Sequence, residues 1–316
     1  MNLRYFALPL LFLLVAPVAQ ADETADLRKS LPTLKGQKLI DTYGKLYMLS
    51  LETDDIDYQL KCVNDYIAET HRQGNRQEEG EARVEKMTFF YNAGMNDSLY
   101  TQVPQTLKFL ENISNWKNYY ETWSLLIDTY NFDGKTILGM DEAKKMLADA
   151  EQKKNNYGSG LGHYSLGIVY AMMHNHEEAA KAYQKSIEIL SQMKPKPLQL
   201  ATVFSYYSEV LDILKRYDTM NALNKQWRQF LMEYYNYGEK DNAGQTKTQW
   251  GVYYLSRAQV ELGLGHYSEA SKMLDEVHNR IAYEGDILSN LWMFFQAELY
   301  KQQKLYDKAL SLNELR

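Results

Sequence analysis

Apolar side chains recur at positions i, i+3, i+4 and i+7 along almost the whole chain after Leu34. This spacing forms one face of an α-helix, whereas a half-buried strand needs alternation with a period of two, which no segment shows. Val is sparse, and there are 26 tyrosines among 316 residues. That composition disfavours strands and suits helices packed by aromatic side chains. The sequence therefore predicts an all-α protein.

Short polar segments interrupt this pattern at fairly regular intervals, as at 73–75, 174–176 and 263–266. Clusters of Gly, Asn and charged residues are typical of turns. They divide the chain into about seven antiparallel helix pairs. The pairs are predicted at 36–71, 77–113, 116–154, 159–193, 199–234, 246–283 and 286–316.

Two further local features of the helix pairs are predicted, one turn and one helix start. An unusually long turn is predicted through the four residues 131–134, which read Asn-Phe-Asp-Gly. The glycine-rich segment 158–162 is predicted to open a helix, with Ser159 as its N-cap, because Ser commonly caps helix N-termini.

The clearest repeat unit lies in residues 159–193. A large apolar residue precedes a small one, and an aromatic residue follows three places later. The next helix carries Ala, an aromatic residue four places on and a small residue three places after that. The residues at these positions are Leu166, Gly167, Tyr170, Ala179, Tyr183 and Ser186. Small residues allow two helices to approach closely, and the tyrosines are expected to fill the space around their contact.

Parts of this pattern return in 246–283 and 286–316, where Ala258 and Ala297 take the small position. The chain therefore resembles the tetratricopeptide-repeat (TPR) family, strongly over 159–193, clearly over 246–316 and weakly over 34–154. The resemblance implies a right-handed superhelical solenoid of about seven TPR-like hairpins. It would span residues 36–316, after a lead-in at 22–35. First helices line the concave face of such solenoids, and members of the family bind proteins, peptides or sometimes glycans there.

The first 21 residues have the layout of a secretory signal peptide. Arg4 supplies a positive charge, residues 6–15 form an apolar run, and residues 19–21 read Ala-Gln-Ala, a small-x-small cleavage pattern. A run of about 10 residues is too short for a bilayer, which needs about 20. We expect residues 1–21 to be removed, Asp22 to become the N-terminus, and the protein to be exported to the periplasm of a Gram-negative bacterium. A permanent N-terminal anchor is the alternative.

Charge and cysteine content restrict the partners. The formal net charge is −6, and loss of Arg4 makes it −7. An acidic chain without Lys/Arg clusters is a poor binder of phosphates, so nucleic acid and anionic membrane surfaces are unfavourable partners. The single cysteine, Cys62, excludes an internal disulfide and a cysteine-based zinc site. Its helical spacing with Leu60 and Val63 predicts a small buried residue.

The chain shows no arrangement typical of catalysis. Residues 174–176 read His-Asn-His, a metal-like spacing, but they fall in a predicted turn. Residues 158–162 resemble a phosphate loop, yet no predicted strand precedes them and no Lys follows. The acidic residues of 54–57 are explained by helix capping. We therefore predict no catalytic residue, no metal site and no cofactor.

Aromatic side chains on the predicted helices could stack on sugars, but at helical spacing most are expected to pack. The set comprises Trp116, Tyr119, Tyr120, Trp123, Tyr206, Tyr207, Tyr234, Tyr235, Tyr237, Tyr253 and Tyr254. Because adjacent side chains point in different directions, one member of each pair 206–207 and 253–254 is expected to be partly exposed.

Projection of the TPR pattern onto the better units predicts a ligand-binding surface on the first helices. Its residues are Tyr164, Ile168, Glu209, Asp212, Gln259, Glu298, Lys301 and Gln302. The alternative is that these are ordinary solvated residues of helices.

An exported TPR array resembles the periplasmic sensor regions of Bacteroidetes-type membrane-bound histidine kinases and related regulators. This implies a non-catalytic binding module with a protein or peptide partner; a carbohydrate-binding surface protein is the alternative. Leu310, Leu312 and Leu315 distribute apolar side chains around the last predicted helix. We therefore expect the natural polypeptide either to continue past Arg316 or to cover this edge by pairing. Membrane anchoring is expected only through sequence beyond Arg316.

Overall fold

The computed structural model describes residues 18–235, 244–281 and 287–314. These residues form fifteen α-helices and one short 3-10 helix at Leu31–Thr33, and they contain no strand. The α-helices are α1 (Val18–Ser30), α2 (Gln37–Ser50), α3 (Ile56–Arg72), α4 (Arg76–Asn92), α5 (Asn96–Asn112), α6 (Trp116–Phe132), α7 (Thr136–Gln152), α8 (Asn156–Met172), α9 (His176–Leu190), α10 (Gln199–Ile213), α11 (Tyr217–Tyr235), α12 (Gly244–Gly263), α13 (Tyr267–His278), α14 (Ile287–Gln302) and α15 (Tyr306–Glu314). The prediction of an all-α protein is confirmed.

The predicted signal peptide, residues 1–21, lies mostly outside the described residues. Helix α1 begins at Val18 and continues to Ser30, so it includes the predicted cleavage position after Ala21. Among the described helices, none combines the length and the apolar character that crossing a membrane requires. Export stays a prediction.

From α2 onward the helices pair into seven hairpins, with an even-numbered first helix and an odd-numbered second helix. The chain divides into two compact units, and the division in the sequence falls between Leu161 and Gly162 within α8. In the first unit each helix from α2 to α7 packs on the next, and the first helices α4 and α6 also touch. In the second unit the same holds from α9 to α15, and α12 touches both α10 and α14. The predicted stack of TPR-type hairpins is confirmed.

Most helices end in the same three-residue turn. After α4, Ala93 closes the helix, Gly94 has a φ angle of 66°, and Met95 precedes α5. The Met95 amide donates to the Phe90 carbonyl at 2.8 Å, and the Gly94 amide donates to the Tyr91 carbonyl at 3.2 Å. These two bonds make a Schellman motif, which satisfies carbonyls that the last helical turn leaves open. Within the described residues, nine such turns have their left-handed residue at Gly74, Gly94, Ser114, Gly134, Lys154, His174, Lys215, Gly265 and Lys304.

The turns impose a regular spacing on much of the chain. From Gly74 to His174 the left-handed residues follow one another every 20 residues. Helices α3 to α8 each contain 17 residues, and the three-residue turn completes the interval. A hairpin therefore repeats every 40 residues here, whereas an ideal TPR unit has about 34. After α9 the connections from second to first helices lengthen, as between Leu190 and Gln199.

In several turns the last residue also caps the next helix. Asn75, Asn115 and Asn155 each accept a hydrogen bond through Oδ1 from the backbone amide three residues on, at 3.2, 3.3 and 2.8 Å. Such side-chain caps satisfy an amide that has no partner within the helix. The prediction of Ser159 as an N-cap is therefore wrong: α8 begins at Asn156 and Ser159 lies inside its first turn.

The predicted long turn through residues 131–134 is also wrong. Helix α6 continues to Phe132, and the turn contains only Asp133, Gly134 and Lys135. Asn131 is 0% exposed, and its carbonyl accepts a hydrogen bond from the Gly134 amide at 3.2 Å. A residue that is typical of loops thus occupies a buried position in the last turn of a helix.

Close contacts between helices rely on small residues, as the repeat pattern predicts. A Cβ atom added to Gly167 would lie 2.4 Å from a ring carbon of Tyr183, which is fully buried. Aromatic rings fill the core of the second unit: Phe204 stacks on Trp227 at 5.9 Å, and Trp227 meets Tyr253 edge-on at 5.9 Å. Cys62 is buried, as predicted.

We expect the left-handed residues to control stability through backbone conformation alone. Gly94→Ala should lower the free energy of unfolding by about 1 kcal/mol, because an L-residue is strained at positive φ. No atom would touch the added Cβ. Ser114→Gly, in the next turn, should raise that free energy by up to about 1 kcal/mol. Urea unfolding of the full chain measures both free energies of unfolding. If Gly94→Ala and Ser114→Gly changed the free energy of unfolding in the same direction, this account would be contradicted. Ser114→Ala, which keeps a Cβ, is the neutral control.

Candidate binding surface on the first helices

Equivalent positions on the first helices α4 to α14 can be identified from the turns. Each lies six residues before the left-handed residue of the following turn, and we call it the groove position. In the first unit it holds Thr88 and Asp128. In the second unit the groove position holds Ile168, Glu209, Gln259 and Glu298. Four of these six residues are strongly polar, although first helices pack on both sides.

Three predicted site residues meet between α10 and α12. Glu209 and Asp212 lie three residues apart and so share one face of α10. Gln259 of α12 donates through Nε2 to Oδ2 of Asp212 at 3.5 Å. We call these three residues the acidic seam.

A second layer of polar side chains accompanies the acidic seam. The hydroxyl of Ser208 lies 2.5 Å from that of Ser256, and the Ser256 hydroxyl donates to Oδ1 of Asn224 at 2.9 Å. Ser208, Ser256 and Asn224 are all buried. Next to the acidic seam, α10 and α12 are therefore joined by hydrogen bonds rather than by apolar contacts. These bonds fix the position of one helix relative to the other beside the carboxyl groups.

Burial sets the electrostatics of the acidic seam. Glu209 is 5% exposed, and its Oε2 has no hydrogen-bond partner. Burial, and then the negative charge of Asp212, raise the pKa of Glu209 to about 8. Burial raises the pKa of the half-buried Asp212 to about 6. At neutral pH most of the Glu209 carboxyl is therefore protonated, while most of the Asp212 carboxyl is ionised.

The first unit contains a related arrangement. Asp128 is half-buried, its Oδ1 has no hydrogen-bond partner, and burial raises its pKa to about 8. Burial raises the pKa of Tyr91 on α4, and the nearby charge of Asp128 raises it further. Burial also raises the pKa of Glu85 on the same helix, with a further increase from the charge of Glu81.

Sequence reasoning missed Asp128 because the TPR pattern was projected onto the later repeats only. The signal that would have found it is the spacing of the turns. Residue 128 precedes Ile168 by the 40 residues of one hairpin, so the two residues occupy equivalent helix positions.

The other predicted site residues lie elsewhere in the second unit. Tyr164 and Ile168 are 8% and 3% exposed, and the Tyr164 ring packs edge-on against Tyr206 at 5.8 Å. On α14, Gln302 donates to Glu298 at 2.8 Å, and Lys301 lies 3.5 Å from the same carboxylate. Participation of the eight predicted residues in binding stays a prediction.

The paired tyrosines differ from expectation. Tyr206, Tyr207, Tyr253 and Tyr254 are all at most 9% exposed, so the prediction of a partly exposed member in each pair is wrong. The four tyrosines are buried because α10 and α12 are first helices that have neighbours on several sides. Helix α10 packs on α9, α11 and α12, and α12 packs on α10, α11, α13 and α14, so side chains on several faces are covered. Tyr237 and the side chain of Tyr235 lie outside the described residues.

Two histidines lie where the α8–α9 turn was predicted. His174 is the exposed left-handed residue of this turn, and the half-buried His176 begins α9. The centroids of the two imidazole rings lie 6.0 Å apart. Burial lowers the pKa of His176, and the nearby His174 lowers it further. The described part of the chain contains no group of three or more His, Cys, Asp and Glu side chains placed to hold a metal ion.

Comparison with solved structures decides the fold type. No protein-family model and no curated protein sequence matches the chain. The chain is similar to a crystal structure of BtubC (BKLC) from P. vanneervenii, with a TM-score of 0.51 and 13% identity over 74% of this chain and 87% of that one. It is also similar to the apo form of RapI, with a TM-score of 0.51 and 12% identity over 87% and 95% of the two chains. The fold is of the TPR type.

The chain also matches a crystal structure of a tetratricopeptide repeat protein from Parabacteroides merdae. It matches with a TM-score of 0.38 and 12% identity over 88% of this chain and 98% of that one. At identities of 13% and 12%, the similarities to BtubC and RapI describe the arrangement of helices and not a shared ligand.

We expect Glu209 to make stability depend on pH. Its folded-state pKa of about 8 lies above the usual 4.5, so between these values the native state binds more protons than the unfolded state. The free energy of unfolding therefore falls as pH rises through this window, by at most about 1.4 kcal/mol per pH unit from this group. Glu209→Gln removes this loss, so its stability relative to the wild type should increase steadily from pH 5 to pH 8.

Chemical unfolding at several pH values measures this difference. His176, whose lowered pKa acts in the opposite sense at the acidic end, is present in both proteins and cancels. Glu269→Gln, at an exposed position of α13, is the matched control and should show a difference that does not change with pH. A constant offset for Glu209→Gln would contradict the burial of an unpaired carboxyl.

Proposed function

We propose that the chain is a non-catalytic protein-interaction module that binds a peptide segment of its partner along the first helices α10, α12 and α14. One observation carries this proposal: polar residues recur at the groove position of these helices, at Glu209, Gln259 and Glu298. Ile168 occupies the same position and is 3% exposed, so an apolar residue fits there. Desolvating a polar group without a partner costs free energy, and packing alone would favour the apolar choice.

A peptide is the ligand that best suits such a row of groups. An extended chain carries amides and side chains at regular intervals, and it can meet polar groups on successive first helices with hydrogen bonds. Sugar recognition would instead draw on exposed aromatic faces. Tyr119, Tyr206 and Tyr253, among the aromatic residues considered for that role, are buried in helix packing.

The same proposal includes the compartment. The layout of residues 1–21 supports export, and the net charge of −6 suits an acidic extracytoplasmic protein that avoids anionic membrane surfaces. Within that compartment the module would act as the sensor region of a signalling protein, in which ligand binding is read out by a partner domain.

We expect the full chain to select peptides with a shared motif from a random 12-residue library displayed on phage. Gln259→Ala should weaken binding of a selected peptide by about fivefold or more, the effect of losing about 1 kcal/mol at a central contact. Fluorescence polarisation with the synthetic peptide measures this. Glu269→Gln, on a second helix, should bind like the wild type. Selection without a common motif, together with retention of defined glycans on a sugar array, would replace this proposal by the carbohydrate-binding alternative.

Export has a separate test. Residues 1–35 fused to alkaline phosphatase should give active enzyme in a Gram-negative host, because the phosphatase folds only in an oxidising compartment. N-terminal sequencing of the product should begin at Asp22. An active fusion that stays in the membrane fraction with residues 1–21 attached would establish a permanent anchor, and an inactive cytoplasmic fusion would refute export.

A further inference from the structure

The acidic seam holds two carboxyl groups without a positive partner. The charge of Asp212 acts on Glu209, and among the described residues no Lys or Arg forms an ion pair with either carboxyl group. Gln259 donates one N–H to Asp212 at 3.5 Å, which is long for such a bond. Within the described residues the seam is thus acidic, largely desolvated and without a positively charged partner.

The neighbouring side chains do not supply the missing charge. On α11, burial raises the pKa of Tyr217 and the nearby charge of Asp212 raises it further, while Asn224 contributes a neutral amide. On α12, Ser256 and Gln259 are also neutral. Arg257 of α12 pairs instead with Glu261 on its own helix, at 3.5 Å.

Glu209 is the group that points to a ligand. Its side chain is more than nine-tenths buried, yet Oε2 has no hydrogen-bond partner. Asp212 is only half-buried, so the seam can be approached from solvent past this residue. A ligand that donates hydrogen bonds at the seam would satisfy Oε2 of Glu209 and neutralise Asp212 together.

We propose that Glu209 and Asp212 form the binding site for a cationic side chain, a Lys ammonium or an Arg guanidinium, carried by the peptide partner. This inference rests on the proposed peptide-binding function and identifies the chemical class of one ligand residue. Either cation brings several N–H donors and a full positive charge, and charge-assisted hydrogen bonds to carboxylates are the strong ones. The amide oxygen of Gln259 lies in the same seam as a further acceptor.

A divalent metal ion fits the seam less well. Calcium takes six to eight oxygen ligands and magnesium demands six in octahedral geometry. Two carboxyl groups and one amide offer too few, and no third acidic, His or Cys side chain completes a metal site here among the described residues. An organic cation needs only two or three acceptors and brings its own covalent geometry.

The test compares peptide selection on the wild type and on the double variant Glu209→Gln with Asp212→Asn. Both substitutions keep the side-chain shapes and remove the ionisable groups, and a thermal melt checks that the variant folds. Peptides selected by the wild type should share a Lys or Arg at one fixed position, and peptides selected by the double variant should not. Peptides without this preference on the wild type would overturn the inference and leave peptide binding standing, whereas no selected peptide at all would refute both.

A double-mutant cycle makes the assignment specific. Replacing the shared Lys by its neutral acetylated form, or the shared Arg by citrulline, should weaken binding to the wild type by about tenfold or more. On the double variant the same replacement should change the affinity by less than about twofold. Glu269→Gln, the matched control on α13, should keep the full tenfold discrimination. Equal losses on the wild type and the double variant would show that the cation binds elsewhere and would overturn the inference.

Discussion

Three residues separate one helix from the next through much of this chain, and the middle one must adopt a left-handed conformation. That requirement sets where each helix ends. The next residue begins the following helix, and in four turns its Asn side chain also caps it, so a single motif closes one helix and opens another. With equal helices and equal turns, equivalent side chains return to equivalent places in successive hairpins. The packing of Gly167 against Tyr183 and the groove position both depend on this repetition.

The groove position shows how packing and binding compete on one helix. A first helix touches its own second helix, the preceding second helix and the neighbouring first helices, so most of its surface is buried. Apolar residues would satisfy that environment, as Ile168 does. Glu209 instead keeps a desolvated carboxyl with one oxygen without a partner. Such groups reduce stability in the free protein, and a ligand that satisfies them recovers the lost interactions on binding.

The seven hairpins and most turns were predictable because they depend on local physics, whereas helix α1 was not predicted. Period and turn residues act over a few positions, and Gly74 and His174 marked their turns directly. Burial was harder to predict because it depends on helices distant in sequence. Tyr206 and Tyr207 are both covered because helices on different sides enclose α10. Asn131 was interpreted as a loop residue because its neighbours are polar, whereas tertiary packing holds it inside a helix. Glu209, Asp212 and Gln259 were predicted as separate members of a surface, but only the structure shows that they meet.

The 20-residue interval also constrains how a protein of this kind changes length during evolution. Between Gly74 and His174, first helices and second helices are followed by the same turn motif. The smallest repeating unit of the backbone is therefore one helix with its turn. Duplicating or deleting one helix would keep every turn intact yet exchange first and second helices in all that follows. Side chains suited to the core would then face solvent. We therefore expect this region to change length in steps of two helices, even though the backbone geometry alone would permit one.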